Sequence, residues 1–336
     1  MKYQNTILKL LFLGAALYSN LAVAVSCGDE VSTNVTLSAD LHCTTGYAAI
    51  VVIANNVTID LNGYTLSGTP DLAGIIVTDL NKLEVKGGII TGFWAGINAS
   101  RSDGLSVNNT IIANVGHAVI ITSSNNAYLY NNDFLFASSN AVVIRNPTAG
   151  LSANNNVIED NEFYQNRSGV YICGADANYN VLTNNLIWQS SDYGIHLVSS
   201  SNNIIRWNTI LDTNDTAIRL NDSSFNKIRS NSLREGRIGL SILANAGGAC
   251  LNTGLNKSLR NRFVANHSIG FESGVSLGLG SVSSREVYRN RIKSNKLYNN
   301  DTGIYFNSDA HRNNATGNAY FGTTTEVVDM GVANSY

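Results

Sequence analysis

Residues 191–220 read SDYGIHLVSSSNNIIRWNTILDTNDTAIRL, and this stretch contains one short pattern twice. The pattern is a small residue, an aliphatic residue, a free position and another aliphatic residue, as in GIHL at 194–197 and AIRL at 217–220. The two copies begin 23 residues apart (217 − 194), and NIIRWN at 203–208 lies between them. Alternation of this kind is typical of β-strands, so each repeat is expected to contain more than one strand.

The same start recurs along most of the chain. Its small residue stands at Gly74, Gly96, Ala118, Ala141, Gly169, Gly194, Ala217, Gly239 and Gly303. From 74 to 239 the spacings are 22, 22, 23, 28, 25, 23 and 22 residues, too short for paired helices. We therefore predict an all-β fold, a single right-handed parallel β-helix of about ten coils. Residues 273–284, where the period is lost, are predicted to form a protruding loop.

Asparagine repeats with nearly the same period, each time shortly before an apolar residue. The positions are Asn109, Asn132, Asn161, Asn185, Asn208, Asn231, Asn261, Asn290 and Asn318. In stacked coils such residues lie at the strand spacing of ~4.8 Å, where their amides can hydrogen-bond along the stack. The sequence thus predicts one asparagine ladder.

Composition agrees with many short strands and turns. The 336 residues include 29 Gly and only 2 Pro, with 44% apolar and 14% charged residues, unlike a helical enzyme or a disordered chain. Charge is unevenly distributed: residues 25–226 hold 7 basic and 17 acidic residues, whereas residues 227–296 hold 12 basic and 3 acidic ones. This asymmetry is informative about binding partners.

The N-terminus has the features of an export signal. Residues 1–24 contain Lys2 and Lys9, an apolar run at 10–17 and the small-x-small sequence AVA at 22–24. We predict that residues 1–24 are removed and that 25–336 form the β-helix domain, with caps at 25–50 and 319–336. The apolar run is too short for a transmembrane helix, so a periplasmic or secreted bacterial protein without membrane insertion is expected.

The chain has four cysteines, and none is spaced as in a zinc site. In an exported protein four cysteines favour two disulfides, and we predict Cys27–Cys43 in the N-terminal cap and Cys173–Cys250 between two longer coils. Lipidation of Cys27 is the alternative use of that residue.

These features together resemble a known superfamily. The segment VTIDLNG at 57–63, preceded by Cys27 and Cys43 and followed by coils of the form Gly-Ile-x-Leu and Asn-x-Ile-x-x-Asn, is similar to the pectate-lyase-like right-handed β-helix proteins. The branch with periplasmic carbohydrate-binding and sugar-hydrolysis repeats, which includes the maturation protein of nitrous-oxide reductase, looks most similar. The resemblance covers nearly the whole chain after residue 24. It implies the fold and is weak for function, because the repeat is a packing motif.

One outward column of side chains is chemically capable. Alternation turns Ile195 and Leu197 inward, so His196 faces outward, with Tyr171 and Arg219 in the same column of the neighbouring coils. A uronate lyase or epimerase needs such groups: Arg219 to pair the carboxylate, and His196 or Tyr171 as base and acid. Arg145 is close enough along its coil to join them. The plainer interpretation is a surface ladder without catalytic function.

A second column contains two carboxylates. Asp192 and Asp215 are expected one coil apart, at ~5 Å, the separation that a retaining glycosidase needs. Arg167 and Arg237 flank them, so the four charges can neutralise each other. The resemblance also argues against hydrolysis, because the polygalacturonase motifs are incomplete: RIK occurs at 291–293, but GHA at 116–118 lacks the second glycine. The Asp-Pro-His signature of alginate epimerases is absent as well.

No cofactor motif is found, and metal sites are weakly indicated. Glu159, Asp160 and Glu162 are candidate calcium ligands, but alternation places them on different faces. The histidines show no shared spacing that would favour copper or zinc; they are His42, His117, His267 and His311.

The basic region predicts stacked arginines. Aligned on the asparagines, three pairs occupy adjacent coils: Arg206 with Arg229, Arg260 with Arg289, and Arg262 with Arg291. Like charges in adjacent strands repel each other unless an anion or a nearby acid compensates them. The leading hypothesis is therefore binding or processing of an acidic polysaccharide, with nucleic acid disfavoured. The alternative is a non-catalytic β-helix for binding, metal-centre maturation or protein interaction, and the sequence leaves the oligomeric state open.

Overall fold

The computed structural model of the chain describes residues 25–244, 257–279 and 286–336. Within these ranges every regular element is a β-strand. The strands are β1 (Asp29–Val31), β2 (Val35–Thr36), β3 (Leu41–His42), β4 (Ala48–Val52), β5 (Thr58–Asp60), β6 (Thr65–Ser67), β7 (Ala73–Thr78), β8 (Glu84–Thr91), β9 (Ala95–Ser100), β10 (Ser106–Ala113), β11 (His117–Thr122), β12 (Tyr128–Tyr130), β13 (Asp133–Leu135), β14 (Asn140–Arg145), β15 (Val157–Glu159), β16 (Glu162–Tyr164), β17 (Ser168–Cys173), β18 (Val181–Thr183), β19 (Leu186–Trp188), β20 (Tyr193–Val198), β21 (Ile204–Arg206), β22 (Thr209–Asn221), β23 (Lys227–Arg229), β24 (Ser232–Leu243), β25 (Lys257–Leu259), β26 (Arg262–Val264), β27 (His267–Leu277), β28 (Glu286–Tyr288), β29 (Arg291–Lys293), β30 (Lys296–Tyr298), β31 (Thr302–Phe306), β32 (Ala310–His311), β33 (Asn314–Thr316), β34 (Ala319–Phe321) and β35 (Thr325–Asp329).

The strands wind into a right-handed parallel solenoid of about 12 coils, which confirms the predicted fold. Each coil has three faces. Face A contains strands such as β14, β17 and β20, face B contains β21, β23, β26 and β29, and face C contains β13, β16 and β19. Strands β22, β24 and β27 turn a corner and belong to both C and A. Strands β25, β28 and β32 form a small extra sheet between A and B.

The predicted count of ten coils was too low, and one missed coil explains part of the difference. Residues 274–277 read GVSL, the same pattern as the other starts. They are the end of β27 and pair with β24 on one side and β31 on the other. The predicted loop at 273–284 is therefore wrong for residues 273–277, and residues 280–285 lie outside the described ranges.

The repeated small residue is required by close packing at the corner of each coil. A Cβ atom on Gly194 would lie 2.6 Å from the carbonyl oxygen of Ala217 in the next coil and 2.6 Å from Cγ2 of Ile210. The aliphatic residues that follow, Ile195 and Leu197, are fully buried in a continuous core. Burial of such stacked side chains is the main source of solenoid stability.

Asparagines form two ladders rather than the predicted one. Between faces B and C the ladder runs through Asn132, Asn161, Asn185, Asn208, Asn231, Asn266, Asn295 and Asn318. At the entry to face B a second ladder runs through Asn156, Asn180, Asn203, Asn226, Asn261, Asn290, Asn313 and Asn334. Asn231 therefore bonds Asn266, not Asn261 as predicted. The prediction failed because each coil has two corners at which an asparagine stands two residues before a strand residue that enters the core. Asn109 is also one place out of line, since Asn132 accepts the amide of Thr110.

The cysteine prediction is confirmed where the structure describes both partners. Cys27 and Cys43 form a disulfide across 16 residues, which takes up the Sγ atom that lipidation would need. A disulfide is typical of chains that fold in an oxidising compartment. Cys250 and the predicted signal at 1–24 lie outside the described residues, so the Cys173–Cys250 pair and the signal stay predictions. The described part of the chain contains no helix long and apolar enough to cross a membrane.

Candidate functional site

Tyr171, His196 and Arg219 occupy neighbouring positions on face A. Tyr171 pairs with His196 and His196 with Arg219 in the strand register, so the predicted column exists. The three side chains differ in their surroundings, and these surroundings decide what each of them can do.

His196 faces outward from its strand, yet neighbouring rings cover it. The Tyr193 ring lies 4.6 Å from the imidazole and the Tyr171 ring 5.3 Å from it. Burial, with a smaller contribution from the positive charge of Arg219, lowers the pKa of His196 to about 3. Its Nε2 is buried and has no hydrogen-bond partner among the described residues. The imidazole is therefore neutral at ordinary pH, and a base with so low a pKa is weak.

Arg219 is engaged by groups of the protein itself. Its Nη1 donates to the Tyr193 hydroxyl at 3.0 Å and lies 3.4 Å from Oδ2 of Asp215. The guanidinium also lies 5.1 Å from the centroid of the Tyr193 ring. A substrate carboxylate would have to compete with these contacts, which makes Arg219 a poorer anion-binding group than an unpaired arginine.

Asp192 and Asp215 lie in adjacent coils, as their main-chain hydrogen bond of 3.2 Å shows. Each carboxylate forms an ion pair with an arginine: Asp192 with Arg167 at 2.6 Å, and Asp215 with Arg237. The arrangement is the self-neutralising set of four charges that the sequence allowed. Both carboxylates are occupied by these ion pairs, which would have to be broken before either could contact a substrate.

A cavity of about 150 Å³ lies on face A next to Tyr171. Its apolar wall comes from Ile120 and Val143, which face outward but are 2% and 4% exposed because Trp94 and Tyr171 pack over them. His117 and Arg145 supply polar groups. Arg145, which was predicted to lie near the Tyr171 column, is in the preceding coil and lines this cavity together with Tyr171.

His117 has a fixed orientation in this cavity. Its Nδ1 lies 2.8 Å from the carbonyl oxygen of Asn140, and a carbonyl only accepts, so Nδ1 carries the proton. Burial lowers the pKa of His117, against the hydrogen bond to Asn140, and the positive charge of Arg145 lowers it further. The ring is therefore a neutral tautomer whose remaining nitrogen, Nε2, is a hydrogen-bond acceptor.

Face B of the later coils carries the predicted arginine stacks. Arg206 pairs with Arg229, and Lys227, Arg262 and Arg291 stack in three consecutive coils. We call this set the basic face; its members are Arg206, Lys227, Arg229, Arg262, Arg291 and Lys293. A groove of about 340 Å³ runs between Lys227, Arg229 and Arg262.

No member of the basic face forms an ion pair with a carboxylate of the described residues. The ion pairs among the described residues all lie elsewhere: they join Lys86 to Asp60, Arg101 to Asp79, Arg167 to Asp192, Arg219 and Arg237 to Asp215, and Lys257 to Glu286. The strands that carry these cations lie ~4.8 Å apart, so like charges on adjacent coils repel each other. A binding partner that supplies negative charge would relieve this repulsion.

An aromatic residue adjoins the basic face. Trp207 is 50% exposed, with the guanidinium of Arg206 at 4.4 Å from its ring centroid and that of Arg229 at 5.8 Å. Such cation–π contacts hold the arginines extended across the indole.

A second row of arginines lies at the corner before face B. Leu259 pairs with Tyr288, which places the following residues, Arg260 and Arg289, in adjacent coils as predicted. Arg312 follows in the next coil, because the amide of Arg289 donates to the carbonyl of His311. A groove of about 490 Å³ includes Arg289 and Arg312. The basic surface therefore continues around the corner.

The weaker metal candidates are not assembled into a site. Glu159 accepts the Tyr128 hydroxyl at 2.9 Å, and Glu162 accepts Nε1 of Trp188 at 3.1 Å. Among the described residues no group of three or more His, Cys, Asp or Glu is arranged to hold a metal ion. Calcium binding stays a prediction without added support.

Sequence reasoning missed several members of these surfaces. From the sequence, His117 was placed only in the incomplete GHA motif and among the possible metal ligands. Its position at the start of a coil, two residues before the inward Val119, could have indicated face A. The predicted stacks contained only arginines and left out Lys227 and Lys293, although each stands two residues from a basic neighbour on the same side of its strand.

Comparisons with known proteins agree with the architecture. The family model described as right handed beta helix region matches residues 95–264. No curated protein matches the sequence. Three solved structures are similar at low identity. The catalytic unit of a thermostable α-1,3-glucanase from Streptomyces thermodiastaticus has 15% identity and a TM-score of 0.63, over 93% of this chain and 64% of that one. The periplasmic alginate epimerase AlgG has 11% identity and a TM-score of 0.61, over 90% and 73%. PfbA, a surface adhesin of Streptococcus pneumoniae, has 11% identity and a TM-score of 0.63, over 88% and 85%.

These likenesses concern the fold. The chain spans 64% of the length of the α-1,3-glucanase unit, so that enzyme contains much that has no counterpart in the matched region. At 11–15% sequence identity, the role of an individual residue in one of these proteins cannot be assigned to a residue of this chain.

Proposed function

Because this chain belongs to the right-handed β-helix family, we propose that its rigid stack of coils binds an acidic polysaccharide along the basic face. The observation that carries the proposal is the stack of cations without carboxylate partners among the described residues. Two of the three similar structures described above are polysaccharide enzymes by name, an α-1,3-glucanase and an alginate epimerase.

The geometry suits a linear polyanion that lies along the solenoid axis. Coils repeat every ~4.8 Å, so Lys227, Arg262 and Arg291 present one cation per coil to a passing chain. Guanidinium groups pair with carboxylate or sulfate through two hydrogen bonds, and Trp207 offers an exposed ring edge to the sugars. An exported location, indicated by the Cys27–Cys43 disulfide, agrees with a glycan partner.

The test compares two double variants with the same change in charge. Arg262→Gln with Arg291→Gln removes two unpaired cations from the basic face, whereas Arg101→Gln with Arg167→Gln removes two arginines that have acidic partners elsewhere. Binding to polygalacturonate, alginate and hyaluronan is measured by affinity electrophoresis, with dextran as the neutral control. The first variant should bind at least about tenfold more weakly, since each lost charged contact is worth ~1.5–3 kcal/mol. Equal losses in both variants, or no binding of any acidic glycan by the wild type, would contradict the proposal.

A second candidate function is uronate lyase or epimerase chemistry on face A. It is favoured by the cavity beside Tyr171, and the predicted catalytic residues are Tyr171, His196 and Arg219. Unsaturated products are followed by absorbance and epimerisation by NMR, with alginate, pectate and hyaluronan as substrates. His196→Phe and Arg219→Gln should each abolish any turnover while the fold is kept. Full activity of both variants would remove this column from the mechanism, and silence on every glycan would favour a non-catalytic binding or interaction protein.

A further inference from the structure

The cavity on face A has the features of a built binding site. It lies between three consecutive coils, those of β11, β14 and β17, and its volume of about 150 Å³ corresponds to about five water molecules in the liquid. That is the size of one sugar ring rather than of a polymer. The cavity is on a different face from the groove of the basic face, so polysaccharide binding along the basic face does not use it; only the second candidate, lyase or epimerase chemistry, involves this part of face A.

We propose that this cavity is a subsite for a single acidic sugar residue, with the carboxylate held by Arg145 and a sugar hydroxyl bonded to Nε2 of His117. The proposal rests on the proposed function only for the class of ligand, an acidic sugar. It assigns to the cavity a role in selecting a sugar unit or chain end, in addition to charge attraction on the basic face.

Arg145 is the group for the carboxylate. The side chain is exposed, and its Nε donates to Oγ1 of Thr122 at 3.0 Å, which fixes the direction of the guanidinium. Among the described residues it forms no ion pair. Its Nη atoms therefore remain available for the two-point pairing that guanidinium makes with a carboxylate.

His117 is the group for a hydroxyl. Because Nδ1–H is used by the carbonyl of Asn140, only the lone pair of Nε2 is offered to a ligand. A neutral acceptor accepts a hydrogen bond from a sugar hydroxyl and does not attract the carboxylate. The two polar groups therefore bind different parts of the same sugar and set its orientation.

The apolar wall supplies the third contact. The ring of Tyr171, which is partly exposed, covers Ile120 and Val143 and forms the apolar side of the cavity. A pyranose ring has an apolar C–H face that can pack on such a wall. Binding sites for small molecules commonly combine an apolar lining with a few placed polar groups.

The test is titration of the whole protein with monomeric sugars, followed by NMR. Galacturonate and glucuronate are compared with glucose, which lacks the carboxylate, and with acetate, which lacks the ring. The wild type should bind a uronate at least about tenfold more tightly than glucose or acetate, since a charge-assisted pair and the ring contacts are both used. On binding, the ¹⁵N signal of His117 Nε2 should shift.

Arg145→Gln keeps the chain length and removes the charge at an exposed position, so the fold should be retained. It should lower uronate affinity at least about tenfold, whereas Arg167→Gln, with the same charge change on another part of the surface, should not. If no uronate binds while the polymer still binds the basic face, the subsite is refuted and the proposed function stands. If acetate binds as tightly as the uronates, the cavity is only an anion site and the sugar assignment is wrong. Polymer binding that fails while uronates still bind would refute the proposed function and leave the subsite standing.

Discussion

Substitution of His196 by phenylalanine should change how the stability of the protein depends on pH. In the folded protein, burial first and then the charge of Arg219 lower the pKa of His196 to about 3 from the usual 6.5. In the unfolded chain the imidazole binds a proton as the pH falls through 6.5, whereas in the folded chain it stays neutral until about 3. The unfolded state then holds more protons, so stability rises with pH across this window and is lost as the pH falls.

The size of the effect follows from the same two pKa values. Between about pH 7 and about pH 5, the free energy of unfolding should fall by about 2 kcal/mol on account of His196 alone. His196→Phe removes this contribution and keeps a ring between Tyr171 and Tyr193. It also removes the buried Nε2 that has no partner, so the variant should be more stable by about 1 kcal/mol even at neutral pH.

The assay is urea unfolding of wild type and variant at both pH values, with the midpoint converted to free energy by a common slope. Other titrating groups are present in both proteins and cancel in the difference. An independent check is the NMR signal of the His196 ring, which should remain that of a neutral tautomer at about pH 5. The reasoning is refuted if both proteins lose the same stability on acidification, or if the His196 ring titrates near 6.5.

Three further changes test the packing of the solenoid. Asn208→Ala removes amide hydrogen bonds to the coils on both sides, so buried carbonyls lose their donors. It should lower the free energy of unfolding, measured in urea, by roughly 3 kcal/mol or more. The control Asn214→Ala, at an exposed position, should have little effect. Cys27→Ala combined with Cys43→Ala opens a loop of 16 residues and should cost about 3 kcal/mol, which a reduced wild-type sample should reproduce. Gly236→Ala should lower the midpoint of thermal unfolding, because Gly236 has a φ of +140° and an added Cβ would meet the carbonyl oxygen of Thr213. An unchanged midpoint would contradict this prediction and show that the corner can relax.

The coil path could be predicted because it depends on local pattern. A small residue followed by alternating aliphatic residues fixes which side chains enter the core, and this is why Ile195 and Leu197 were placed correctly. The prediction failed where two corners of a coil carry the same signal. Asn231 and Asn261 both stand two residues before an apolar residue, and only the three-dimensional register shows that they belong to different ladders. The coil starting at Gly274 was missed because residues 273–284 were predicted to form a loop.

The candidate site was predicted in part. Alternation placed Tyr171, His196 and Arg219 in one column, and this column exists. It gave no sign that the ring of Tyr193 covers His196, since Tyr193 begins its strand and its ring reaches along the surface. The cavity beside His117 depends on how Trp94 and Tyr171 pack over outward aliphatic residues, and strand patterns do not describe such contacts.

The sequence by itself determined the parallel β-helix, the inward or outward direction of side chains along the repeated strands and most of the stacking, because a near-constant repeat places equivalent Cα atoms one strand spacing apart. Only the tertiary structure decided which stacked charges are neutralised. Arg219 and Arg229 both face outward, yet Arg219 reaches Asp215 and Tyr193 on face A, whereas Arg229 lies beside Trp207 and Arg206 on face B and forms no ion pair with a carboxylate of the described residues. Long side chains span more than one coil and reach around corners, so their partners depend on the whole surface and not on the repeat.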